Sequence, residues 1–189
     1  VKTVVVDITD DATAEGFERF NLNLSNASDA TIVDGLGVAQ IGASDTTAVA
    51  VPTISVADVV VGEGDGYVDL VVNLSAPGLN VVTVNYATAY GSASGAGFDY
   101  ENASGTLTFA VGETTKTVRV ELSENTSAEN LEHFRLNLST PGNATLAKAS
   151  AMVSIVDNDT VMATPSVFVR DVVVDEKAGT ASFVVTLGK

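Results

Sequence analysis

Carboxylates dominate the chemistry available to this chain of 189 residues, which has 24 Asp and Glu against nine Lys and Arg, one His and no Cys. In the central stretch they fall in turn-rich segments. Glu63 lies in GEGDG, and Asp99 in GSASGAGFDY. Glu124, Glu129 and Glu132 share ELSENTSAENLEHF, and Asp157 and Asp159 close SIVDND. Like charges brought within a few ångströms repel strongly unless a cation sits among them. A hard ion taking roughly 6–8 oxygen ligands, calcium, suits carboxylates with added amide and carbonyl oxygens, and Asn125 and Asn158 stand beside the acids to provide amides. Zinc is disfavoured with no Cys and a single His. Magnesium prefers fewer protein ligands. Catalysis has little to work with. His133 alternates with Phe134 along a strand and is expected to face outward, and the centre of GSASG is Ala93, not a serine.

The elements that must position these acids read as strands. Val68, Leu70, Val72 and Leu74 alternate with other residues, as do Val82, Val84 and Tyr86, and Leu107 and Phe109. The pattern continues at Val118, Val120 and Leu122, at Phe134, Leu136 and Leu138, and at Ala151, Val153 and Ile155. This period of two marks strands with one buried face, and Gly, Asn, Ser and Asp fill the turns. With residues 53–56 it gives about seven strands in roughly 107 residues, which suits an all-β, Ig-like antiparallel sandwich. In an up-and-down order, alternate loops share one end, so all seven carboxylates are expected at one pole.

The chain also repeats itself. Lys2–Ser25 matches Lys116–Ser139 at 12 of 24 positions, offset by 114, and Pro52–Ser75 matches Pro165–Gly188 at 11 of 24, offset by 113. The period of about 113 residues is that of one sandwich domain. Residues 1–45 are thus the back part of one repeat, 53–159 a complete repeat, and 166–189 the front part of another. Residues 46–52 and 160–165 read as short linkers stiffened by Pro52 and Pro165. The two partial repeats are not expected to rebuild a domain together, because neither supplies the counterpart of residues 81–115. A fragment of a longer tandem array is the expectation.

The run VTVNYATAYGSASGAGFDYENASGTLTFAVGETTKTVRVELSENTSAENLEHFRLNLS, closed by SIVDND, resembles a Calx-β domain. Its ordered motifs are V-x-Y-x-T with G-x-D-Y, then G-T-L-x-F-x-x-G-E-T-x-K, then an acidic loop and F-x-L-x-L-S. The resemblance implies an Ig-like sandwich binding several Ca²⁺ ions at one pole, as in sodium–calcium exchangers. Carried over by position, it implies metal ligands at Glu63, Asp99, Glu124, Asn125, Glu129, Glu132, Asp157, Asn158 and Asp159, with the backbone carbonyl of Ser127. In the leading partial repeat it implies Asp10, Asp11, Glu15, Glu18 and Asp45; in the trailing one, Glu176 matches Glu63. Glu124-Asn125 and Asn158 replace carboxylates of the strongest calcium-sensing pattern, so weaker binding is expected, roughly 10⁻⁴–10⁻³ M.

A formal charge of −15 argues against nucleic acid, which needs clustered Lys and Arg. No apolar run approaches the roughly 18 residues that would span a bilayer. Carbohydrate binding lacks an aromatic platform, with no Trp and 6% aromatics. The leading reading is a calcium-binding spacer of a large extracellular or cell-surface repeat protein, an adhesin of bacterial type. Its partners would be calcium ions and neighbouring repeats, with surface proteins or glycans met by other parts of the parent. Two other readings stay open: a calcium-sensing regulatory domain, and a metal-free subunit fragment of an extracellular filament or surface layer.

Overall fold

The computed structural model describes residues 2–15, 18–42, 45–159, 164–175 and 178–187. Strands account for nearly all of its regular structure. The leading segment carries β1 (Lys2–Asp7), β2 (Glu18–Asn23), β3 (Thr31–Asp34) and β4 (Leu36–Gly42). The central segment carries β5 (Thr53–Val56), β6 (Val59–Gly62), a 3-10 turn (Glu63–Asp65), β7 (Tyr67–Leu74), β8 (Val82–Ala89) and β9 (Ser104–Phe109). It continues with β10 (Thr115–Glu121), β11 (Glu132–Gly142), β12 (Thr145–Lys148) and β13 (Ser150–Val156). The trailing segment adds β14 (Ser166–Val169), β15 (Val172–Asp175) and β16 (Thr180–Leu187).

The central segment forms an Ig-like sandwich from a sheet ordered β10-β7-β5-β12 and a sheet ordered β6-β13-β11-β8-β9. Its nine strands exceed the expected seven because the first and last strands each break and continue in the other sheet. The sheets are therefore not purely antiparallel. β5 pairs with β12, and β6 with β13, in parallel. The alternating residues meet between the sheets, where Leu70, Phe109, Phe134, Leu136 and Val153 are fully buried. Tyr100 joins them, its ring stacked on Phe134 with centroids 4.0 Å apart.

The leading and trailing segments do assemble, against expectation. β1, β16, β14 and β3 form one sheet, and β15, β4 and β2 the other. Under the repeat offsets, β1-β16-β14-β3 reproduces β10-β7-β5-β12 strand for strand, and β15-β4-β2 reproduces β6-β13-β11. The junction detail is copied too. Asp58 accepts from the Met152 amide at 2.9 Å, and their counterparts Asp171 and Val38 make the same bond at 2.8 Å. The missing counterparts of β8 and β9 do not prevent pairing, since β16 and β4 supply the central ladders on which the other strands register. A small core of Ala39, Val169, Ala181 and Phe183 results.

The segment expected to link repeats is tied to its neighbour. The Val49 amide donates to the Pro77 carbonyl at 2.9 Å, and the Leu79 amide to the Val49 carbonyl at 3.0 Å. Residues 160–163 of the second expected linker lie outside the described residues.

Candidate metal centre

The first sandwich brings its acids to one pole by strand pairing. β6 and β13 run parallel with Gly62 opposite Val156, so the residues that follow, Glu63 and Asp157, emerge side by side. β11 runs antiparallel to β13 with Glu132 opposite Ile155, which places Glu132 at the same end. A bridge between Tyr100 and Leu122 fastens the Gly-rich loop to the end of β10, and the Ser123 amide donates to the Asp99 carbonyl at 3.0 Å. The loop is further fixed by close approach: a Cβ at Gly91 would lie 2.2 Å from the His133 carbonyl oxygen.

Two groups of three carboxylates result, each with ligand oxygens within 4.8 Å of one another: Glu63, Asp157 and Asp159, and Asp99, Glu129 and Glu132. A small cavity lined by Glu63, Asp99, Glu129, Asn130, Glu132 and Asp157 joins them. Asn130 is absent from the sequence-derived set; it lies in the acidic loop, but an Asn in an Asn-rich chain carries no signal of its own.

Burial sets the electrostatics. Glu63 is 3% exposed. Desolvation, reinforced by the charges of Glu124, Glu129 and Asp157, pushes its pKa up to about 7, against the opposing pull of the Asn125 amide. Glu132 is likewise raised to about 7, first by burial and then by Asp99 and Glu129. Three buried oxygens at this pole, Glu63 Oε2, Asp159 Oδ2 and Asn158 Oδ1, have no hydrogen-bond partner. Buried polar atoms normally find one. A pole of hard oxygen donors with orphaned lone pairs and no nitrogen or sulfur ligand fits a hard divalent cation such as calcium.

The amides play a different part from the one expected. Asn125 Nδ2 donates to Glu63 Oε1 at 2.6 Å and reaches Glu129 Oε2 at 3.4 Å, while its Oδ1 accepts from the Ser127 amide at 2.6 Å. Asn158 Nδ2 donates to both oxygens of Glu124, at 3.0 and 3.2 Å. The amide groups thus turn donors toward the carboxylates, as like charges demand. Glu124 is held by Asn158 at the rim, outside both groups of three. The Ser127 amide is occupied by the Asn125 turn.

The acids of the leading segment are less gathered. Asp11, Glu15 and Glu18 line one pocket beside Asp7. Asp11 accepts from the Thr13 amide at 2.6 Å, which lowers its pKa. Asp10 and Asp45 do not line that pocket, and among the described residues these five form no group like the two above. Glu176 lies outside the described residues.

His133 is half-buried, and its Nδ1 meets Ser92 Oγ at 3.1 Å. Ser92 Oγ also accepts from the His133 amide at 3.0 Å, so the pair staples the Gly-rich loop to β11.

Among the described residues no helix is long and apolar enough to cross a membrane. No curated protein sequence matches significantly. Solved structures do. The apo-form Calx CBD1 domain shares 27% identity with a TM-score of 0.53, covering 58% of this chain and 99% of that one. CBD12 from CALX1.2 shares 27% identity with a TM-score of 0.53, covering 57% of this chain and 46% of that one. The calcium binding domain CBD12 of CALX1.1 shares 26% identity with a TM-score of 0.52, over 56% and 46%. This chain therefore spans under half the length of those CBD12 structures. The family model for the Calx-beta domain matches residues 1–47 and 43–159. With the acidic pole and the split first and last strands in place, the chain belongs to the Calx-beta domain family.

Proposed function

We propose that this chain is a calcium-binding structural module of a large extracellular repeat protein, a cell-surface adhesin of bacterial type. In it, Ca²⁺ stiffens the polar loops and the junction to the next segment. The ligands of the first sandwich are Glu63, Asp99, Glu129, Glu132, Asp157 and Asp159, with Glu124, Asn158 and the Ser127 carbonyl at the rim. Residues 1–45 and 166–189 belong to flanking repeats of a tandem array. The observation that carries the reading is the pair of three-carboxylate groups with buried Glu63 and Asp159 oxygens left unbonded. A relative described as a calcium binding domain supports the choice of ion.

The junction has its own support. The 3-10 turn carries Glu63 at one end and Asp65 at the other. Asp65 Oδ2 accepts from the Gly62 amide at 2.9 Å and forms an ion pair with Arg170, just after β14. An ion held by Glu63 would order the turn that presents Asp65 to the following segment.

Calorimetry and thermal melting of the full chain with Ca²⁺ test the reading. At a dissociation constant of roughly 10⁻⁴ M, 10 mM Ca²⁺ adds about 2.7 kcal/mol to stability. The paired substitution Glu129→Gln and Glu132→Gln is expected to abolish most of that gain. Equal melting temperatures with and without millimolar Ca²⁺ would favour a merely solvated acidic rim, as in a metal-free filament subunit. Submicromolar binding would instead favour a calcium-sensing regulatory domain.

A further inference from the structure

Sheet edges decide where a β protein can be extended, and the first sandwich treats its edges unequally. β10 includes Lys116 and Arg119, and β12 includes Lys148, charges of the kind that blunt an edge. β6 has four residues and shares a pocket with Leu36, Val38 and Val169 of the second sandwich. β9, the six-residue run SGTLTF, is different. It closes its sheet beyond β8, and among the described residues no strand lies on its far side. Ser104, Gly105, Thr106 and Thr108 are exposed. Residues 102–112 include no charged side chain and no proline, in a chain of formal charge −15. β8 and β9 both lie well inside the complete repeat of residues 53–159, so this edge is a property of one whole domain.

The β8 ladder determines which backbone groups of β9 remain. The Thr88 amide donates to the Ala103 carbonyl at 2.8 Å, and Val82 to Ala87 pair with Phe109 to Ser104 in unbroken register. Hydrogen-bonded pairs alternate along an antiparallel ladder. Gly105, Leu107 and Phe109 therefore turn their backbone groups toward β8, and Ser104, Thr106 and Thr108 turn theirs away. When such a row pairs antiparallel with a copy of itself, the register that uses all three residues on both copies sets Thr106 opposite Thr106 and Ser104 opposite Thr108. That two-fold arrangement also matches side chains. Leu107, half-buried against the first core, falls opposite Gly105, where a Cβ would lie 2.9 Å from Tyr86 Oη. The glycine leaves the Tyr86 ring open to the incoming leucine.

We propose that the β9 edge joins two copies of this chain about a two-fold axis through Thr106, merging their two five-stranded sheets into one. The occupant follows from charge and symmetry. Two chains of −15 repel, and they meet most readily where neither carries charge, as along residues 102–112. The contact of Leu107 with Gly105 occurs twice about the axis, as an isologous interface requires. Threonines facing one another across the new ladder add side-chain contacts of their own.

Sedimentation of the full chain tests this, with a chelator present to remove contacts bridged by metal. At about 1 mM, where even a weak pair forms, the parent is expected to be dimeric. Thr106→Lys, at an exposed site, sets two ammonium groups opposite each other. It is expected to weaken the dimer at least about tenfold at an unchanged melting temperature. Register is read by cross-linking, which is clean because the chain has no cysteine. Thr106→Cys is expected to oxidise to a disulfide-linked dimer, since a hydrogen-bonded antiparallel pair holds its Cα atoms about 5.5 Å apart. Thr108→Cys alone is expected not to, but to cross-link when mixed with Ser104→Cys. A monomeric parent at that concentration overturns the proposal. So does a dimer indifferent to Thr106→Lys, or a Thr106→Cys cross-link that forms no faster than that of Thr108→Cys.

Discussion

Glu63 condenses the energetics of the pole into one side chain. It is 3% exposed, accepts from Asn125 through Oε1, and leaves Oε2 unbonded. A buried acceptor without a partner costs about 1–3 kcal/mol, more when charged. Glu63→Gln keeps the shape and removes the charge. The metal-free variant is therefore expected to be about 1–3 kcal/mol more stable than the parent, while its stabilisation by Ca²⁺ shrinks sharply. Denaturant unfolding with and without Ca²⁺ reads both effects, and a destabilised metal-free variant would contradict this account. The same residue sets a pH dependence. Its folded pKa is about 7 against the ordinary 4.5 of a glutamate, so between those values the folded chain holds a proton the unfolded chain has released. The contribution is complete below about 4.5 and is lost as pH rises through 7. Glu132 acts in the same direction. Without metal, the parent is expected to lose stability relative to Glu63→Gln between pH 4.5 and 7.5, and calcium affinity to rise over that window. Parallel melting curves for the two proteins across that range would refute the assignment.

At the scale of strands, corresponding residues allow a direct comparison. Phe134 is fully buried, whereas Phe20 is half-buried and meets Phe183 edge-on with centroids 5.7 Å apart. Phe134→Ala is expected to cost about 3–5 kcal/mol, and Phe20→Ala about half of that or less, in unfolding monitored for each sandwich. Much of this layer is legible from alternation alone. The sets at Val68–Leu74, Val118–Leu122, Phe134–Leu138 and Ala151–Ile155 all face inward and are buried. The gathering of Glu63, Asp99, Glu129, Glu132 and Asp157 was also readable, since loop position and residue type suffice for it. The break between β5 and β6, and that between β12 and β13, were not. Alternation resumes on each side of a one- or two-residue interruption, and a strand that changes sheets looks like a strand with a kink. The pairing of β1 with β16 was hidden for another reason. Copies of a repeat share the same pattern, so nothing in the residues says which copy a strand will choose. The turned amides of Asn125 and Asn158 are set by local charge, which residue identity does not reveal.

For the molecule as a whole, the contact between sandwiches includes a buried ion pair and an apolar ring. Arg170 pairs with Asp65, with side chains 16% and 7% exposed, and Phe168 packs where a Cβ on Gly62 would lie 3.1 Å from its ring. Removing one partner of a buried ion pair leaves the other uncompensated, typically at about 3–5 kcal/mol. Arg170→Ala is therefore expected to loosen the second sandwich from the first, raising the radius of gyration in solution scattering while the first sandwich keeps its melting temperature. An unchanged scattering profile would assign the contact to apolar packing alone. The parallel β6–β13 pair has a further consequence. The opening and closing strands of the first sandwich lie side by side and point the same way, so the chain enters at one end of that ladder and leaves at the other. Tension applied through the chain then drags the two strands past each other and loads their four registered residue pairs together, where an antiparallel exit would let them peel open singly. The first sandwich is thus a mechanical clasp against a pull applied through its two ends.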